Sequence, residues 1–124
     1  MITGNATPTS MSSSGSAPAA TTVLVMPNVS AYTFVARVVA RANASGDCAT
    51  FEIKGAIKRG ANAAATAVVG TVSSTSLGAD AGASAWAATA VADTTLGALT
   101  IQVTGAAATT IKWVASIWTT EVVG

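Results

Sequence analysis

Residues 31–59 read AYTFVARVVARANASGDCATFEIKGAIKR, and their period decides the fold class. In 31–41, Tyr32, Phe34, Ala36, Val38 and Ala40 fall on one side, and Thr33, Val35, Arg37, Val39 and Arg41 on the other. Successive side chains of an extended chain point to opposite faces, so this alternation predicts a strand with one buried face. Asn43, Gly46 and Asp47 follow, residue types that tolerate turn geometry. From Cys48 the alternation resumes, with Phe51, Ile53, Gly55 and Ile57 opposite Glu52, Lys54 and Lys58. The two segments are expected to pair as a hairpin.

The same reading extends in both directions. Upstream, TTVLVM (21–26) predicts a short strand that Pro27 stops. Downstream, residues 60–65 are alanine-rich but too short for an independent helix, so they read as a loop entering a strand at 66–74. Residues 75–84 read as a glycine-punctuated loop. Trp86 opens a weak strand to Ala92, and Asp93, Thr94 and Thr95 make a turn. Leu99, Ile101 and Val103 then alternate with Ala98, Thr100, Gln102 and Thr104, a half-buried strand. In the last strand Ile111, Trp113, Ala115 and Ile117 oppose Lys112, Val114, Ser116 and Trp118, and the strand runs to Val122. Seven or eight short strands with turn signals and no helical period predict an all-β fold. The expected architecture is an antiparallel β-sandwich, jelly-roll-like. A single sandwich domain is assigned to 21–124, preceded by a flexible or extended N-terminal arm at 1–20. That arm, MITGNATPTSMSSSGSAPAA, reads either as a disordered leader or as a segment ordered across a neighbouring subunit, with Ile2 and Met11 as its sizeable anchors.

Composition narrows the function. Ala, Thr, Ser and Gly make up 71 of 124 residues, and 9% are charged, against roughly 25% in ordinary soluble domains. Much of the apparent hydrophobicity is alanine, which buries little area, so the core is expected to be thin. A thin core under a weakly charged surface fits a subunit that gains stability from neighbours. Histidine is absent and Cys48 is the single cysteine, which excludes His-dependent triads, Cys/His zinc sites and an intrachain disulfide. The net charge of +1 lacks the basic surplus of non-specific nucleic-acid binding. No basic stretch precedes an apolar run at the N-terminus, so no signal peptide is read, and 94–111 carries too many threonines for a membrane span.

The side chains that carry chemistry are scattered. Asp47, Glu52, Asp80, Asp93 and Glu121 lie in different segments. A glycosidase pair or a calcium site would need them clustered, and solubility at loops and strand edges explains each. Lys54, Lys58 and Arg59 form the one basic cluster and read as a solvated strand end. GAIKRG (55–60) is not a phosphate loop. Cys48 reads as a small buried hydrophobe. Trp86 and Trp113 read as core. Trp118, an odd number of positions from Trp113, is expected on the opposite face, as a subunit contact or a sugar-stacking platform, with burial beneath a loop as the alternative. No catalytic, cofactor or metal residue is assigned, and no enzyme activity is expected.

The segment AWAATAVADTTLGALTIQVTGAAATTIKWVASIWTTEV (85–122), with YTFVARVVAR and FEIKGAIKRG upstream, resembles small β-rich modules of bacteriophage virion structural proteins. The resemblance covers about residues 30–122 and rests on the spacing of Trp, Asp-Thr, Gly-Ala-Leu, Val-Thr-Gly and Trp-Val-Ala. It implies a head decoration (cement) protein on the capsid surface, made in the bacterial host cytoplasm. Such a protein binds the major capsid protein as a homo-oligomer, with a trimer favoured, and its arm reaches onto the shell. The alternative it implies is a tail-fibre or tail-tip module that recognises host glycan. Neither nucleic acid nor membrane is an expected partner.

Overall fold

The computed structural model describes residues 1–14 and 23–124. Among them are nine strands: β1 (Ile2–Thr3), β2 (Thr9–Ser10), β3 (Leu24–Val25), β4 (Ser30–Ala42), β5 (Cys48–Arg59), β6 (Thr66–Ala79), β7 (Ala87–Asp93), β8 (Ala98–Thr104) and β9 (Ile111–Val123). Every pairing between them is antiparallel. The protein is all-β, with a five-stranded sheet ordered β1-β9-β4-β5-β6 packed against a four-stranded sheet built around β8.

The hairpin β4–β5 forms as its alternation dictates. Its register runs from Ser30 opposite Arg59 to Arg41 opposite Cys48, and Gly46 closes the loop at φ +80°, a conformation that glycine adopts without steric cost. Phe34, Ala36, Val38, Ala40, Phe51, Ile53 and Ile57 are buried. The order β9-β4-β5-β6 is a Greek key: three consecutive strands, and a fourth that returns beside the first. The jelly-roll likeness rests on this one key. The second sheet is the hairpin β7–β8, whose remaining edge the N-terminal residues complete.

Alanines at 36, 40, 42, 49, 88, 90 and 98 line the buried faces. They let the sheets approach closely, and a few large rings fill the interior. Trp113 stacks on Phe51 (centroids 6.5 Å apart, 21° between planes) and meets Trp86 at 6.1 Å and 53°. Offset and tilted rings of this kind add to the area they bury.

Three readings of local structure are corrected. Residues 75–79 are strand, because β6 stays paired with β5 through two register shifts and ends at Ala79. At one shift Gly70, Thr71 and Val72 oppose Gly55. A Cβ on Gly55 would lie 3.0 Å from the Phe34 ring and 3.3 Å from Val72, so glycine there gives room for both side chains. β8 is more than half-buried: Ala98, Leu99, Thr100 and Ile101 are all covered, because β7 pairs along its whole length and β2 and β3 share its other edge. The strand count exceeds the expected seven or eight because the N-terminal residues contribute β1 and β2.

Residues 1–14 lie along the chain's own sheets. Ile2 and Thr3 pair with Lys112 and Ile111, and Thr9 and Ser10 with Val103 and Gln102. The Met11 N–H donates to the Ile101 carbonyl (2.7 Å). Ile2 points outward and is exposed, whereas Thr3 is buried, since alternate residues of an extended segment face opposite sides. Residues 15–20 of the expected arm and 21–22 of the expected 21–26 strand lie outside the described residues.

Candidate functional site

Glu52, Asp93 and Glu121 occupy separate structural posts. Glu52 receives Lys54 Nζ at 3.0 Å and Arg37 Nε at 3.3 Å, and the hydrogen bond from Lys54 leads in holding its carboxyl below the usual range. Asp93 Oδ1 accepts the backbone N–H groups of Thr95 and Leu96, each at 2.9 Å, and so builds the β7–β8 turn. Glu121 accepts the Thr119 hydroxyl (2.6 Å). Burial pushes the Tyr32 phenol up, with the charge of Glu121 adding to it.

Asp80 Oδ2 accepts the Cys48 N–H (2.9 Å), and Asp47 lies close to the same corner, its carboxylate filling the space where a Cβ on Gly82 would stand. The fold therefore brings Asp47 and Asp80, 33 positions apart, to either side of Cys48. Among the described residues, no group of three or more His, Cys, Asp or Glu side chains is arranged to hold a metal ion.

Cys48 is exposed, not buried. As the first residue of β5 it sits on the solvent face, outside the alternation that buries Ala49. Its thiol is pushed up by the hydrogen bond to Asp80 first and by that carboxylate's charge second, which keeps it protonated and weakly nucleophilic.

Arg59 is not part of a solvated strand end. Its Nη1 donates to the Met26 carbonyl (2.7 Å) and the Gly97 carbonyl (3.3 Å), and its Nε is buried. The guanidinium thus ties the end of β5 to the β7–β8 turn across the two sheets. Lys54 and Lys58 remain exposed on the outer face.

The tryptophans divide as their parity predicts. Trp113 is 1% exposed and Trp86 is buried, while Trp118 is 57% exposed on the solvent face of the five-stranded sheet. Beside Trp118, residues Thr33, Val35 and Thr120 line a shallow depression of about 130 Å³. A larger apolar groove of about 370 Å³ opens between the N-terminal residues and β9, walled by Met11, Leu24, Leu99, Ile101, Ala115 and Ile117. Among the described residues no charged side chain lines it.

Sequence reasoning overlooked Thr3, which accepts a hydrogen bond from the Trp113 indole (2.9 Å) in the interior. A hydroxyl three residues from the start of a polar arm offers no local signal for such a partner. Among the described residues no helix is long and apolar enough to cross a membrane. No protein-family model, curated protein or solved structure matches the chain.

Proposed function

We propose that the chain is a non-enzymatic structural protein of a bacteriophage particle: a head decoration (cement) protein. In this reading it assembles as a homo-oligomer, a trimer, binds the outer surface of the capsid and stabilises contacts between capsomers of the major capsid protein. The resemblance of residues 30–122 to virion modules supplies the setting, and the virion surface is then its location.

The observation that carries the reading is that, among the described residues, the five-stranded sheet is open at both ends. At one end β6 has fourteen residues, no charge and no proline, and is largely exposed. At the other, β1 covers only Ile111 and Lys112 of β9, which leaves residues 114–123 without a neighbouring strand on that side among the described residues. Sheet edges are ordinarily guarded by charge, proline or cover, because their free backbone groups recruit another strand. From the pairing order, β6 and β9 run in opposite directions. A second copy set beside the first therefore presents its β9 antiparallel to β6. A contact between two different edges is heterologous and closes into a ring when the rotation permits.

Light scattering on the purified chain tests this directly. A trimer is expected, and Ser73→Lys with Thr75→Lys on β6 should reduce it to monomers. The intact chain should cosediment with bare capsids, and imaging of the decorated particle should place it at capsomer junctions. A monomer at high concentration that ignores capsids would reject the proposal.

The exposed Trp118, flanked by Thr33 and Thr120, favours the tail-module reading as the second possibility, because an indole face beside hydroxyls suits sugar stacking. Binding to a glycan array without binding to capsids would select it.

A further inference from the structure

The near-neutral net charge conceals a segregation. Of the six Lys and Arg side chains in the sequence, five stand on the solvent face of the five-stranded sheet: Arg37, Arg41, Lys54, Lys58 and Lys112. Glu52 is the one carboxylate at a strand position of that face, and Asp47 and Asp80 adjoin its far end, beside Cys48 and Arg41. Five cations against one anion leave its strand positions at +4, with Asp47 and Asp80 at the Arg41 end and Asp93, Glu121 and Arg59 elsewhere.

Apolar groups are set between these cations in a defined order. Lys112 lies beside Arg41, then Val114 beside Val39, Ser116 beside Arg37, Trp118 beside Val35, and Val122 beside Ala31. Val39, Val114, Trp118 and Val122 are all strongly exposed. We infer that this face docks an acidic protein surface, one whose carboxylates are interspersed with apolar side chains.

Charge and shape together select that partner. A second copy stacked face to face would set +4 against +4, and like charges in register cost several kcal/mol. Six rows of side chains spaced about 6.7 Å apart, across three strands about 4.8 Å apart, give a flat area of roughly 500 Å², more than half of one side of a standard protein interface. A small-molecule ligand takes a concave site that encloses it, and the depression beside Trp118 holds only about 130 Å³. Single-stranded nucleic acid is held by a cationic track with several stacking aromatics. Here one indole is present, and Glu52 already engages Arg37 and Lys54. Trp and Arg are enriched in protein-binding surfaces, and here Arg37 stands mid-patch on β4 with Trp118 on the β9 side.

The inference stands apart from the virion reading, and its test needs no particle. The probe is a random copolymer of glutamate and tyrosine, titrated into the intact chain while tryptophan emission and its quenching by iodide are followed. Trp86 and Trp113 are buried, so protection from iodide reports on Trp118. Binding is expected to protect Trp118 and to weaken as salt rises. Lys54→Glu with Lys58→Glu should lower affinity at least about tenfold. Trp118→Ala, which removes the reporter and is therefore followed with the parent by titration calorimetry, should lower it about tenfold while leaving the salt dependence unchanged. Should the charge-reversed chain lose its circular dichroism signature, Lys54→Gln with Lys58→Gln makes the same comparison. Tighter binding of heparin or of an oligothymidylate at equal ionic strength would overturn the choice of partner. Absence of copolymer binding, or equal binding by the variants, would overturn the site. A monomer that binds the copolymer through this face would keep the inference and reject the trimer.

Discussion

The indole N–H of Trp113 donates to the hydroxyl of Thr3 across 2.9 Å of buried space, joining residues 110 positions apart. The backbone doubles the link, since Met1 and Trp113 exchange N–H···O bonds of 3.1 and 2.9 Å. The first strand is therefore fastened to the ring cluster at the centre of the core. Gly105 lets it pass, because a Cβ there would lie 2.7 Å from Thr3 Oγ1.

Thr3→Val keeps the shape and removes the acceptor, leaving the Trp113 N–H buried without a partner. The expected cost is about 1–3 kcal/mol of unfolding free energy, and Thr3→Ser should recover most of it. Urea denaturation followed by tryptophan emission measures both.

Gly97 sits at φ +67°, and Arg59 Nη1 occupies the place a side chain would take. Gly97→Ala should destabilise by more than the 1–2 kcal/mol typical of a left-handed L-residue, because the Arg59 guanidinium must also leave its carbonyl partners. If thermal unfolding of this variant matches the parent, the stitch between the sheets contributes nothing.

Val29 shows the opposite case. It is a β-branched residue at φ +56°, held there as its N–H reaches the Gly60 carbonyl and its carbonyl receives the Gly124 N–H, both at 2.9 Å. Its side chain is exposed, so little packing is lost on truncation. Val29→Gly should stabilise by about 1 kcal/mol, offset in part by glycine's greater freedom when unfolded, and should raise the melting temperature by a few degrees.

Cys48 carries the pH dependence. Ionising it gives up the thiol's hydrogen bond to Asp80 and sets a second negative charge against that carboxylate, so at any given pH its thiolate fraction lies below that of a free cysteine. Alkylation by iodoacetamide should accelerate only at higher pH than for an ordinary thiol. Asp80→Asn removes the opposing charge and should move the rate profile to lower pH. An unchanged profile in that variant would sever the Cys48–Asp80 link.

For Glu52 the sign is reversed. Its carboxyl is held low by Lys54 and Arg37, so the folded state gains from it above the unfolded carboxylate range and loses that gain as pH falls through the folded value. Acid titration of a Glu52→Gln chain should show a shallower loss of stability over that window than the parent.

Adjacent residues determined most of what could be read from the chain itself. The period-two alternation in 31–59 and 111–118 specified which sides of β4, β5 and β9 face the core, and so set Trp113 inside and Trp118 outside without reference to anything distant. The same parity already placed Arg37, Arg41, Lys54 and Lys58 on one side of each strand. Only the tertiary structure decided how these strands lie side by side, which gathers their cations, with Lys112, onto one face. It also decided that Cys48 is exposed at a corner with Asp47 and Asp80, that Arg59 is drawn inward by the carbonyls of Met26 and Gly97, and that Thr3 meets Trp113. The physical reason is one of range. The direction of a side chain along a strand follows from its immediate backbone, whereas the neighbours it meets depend on which sheet edges and turns the packed core brings together.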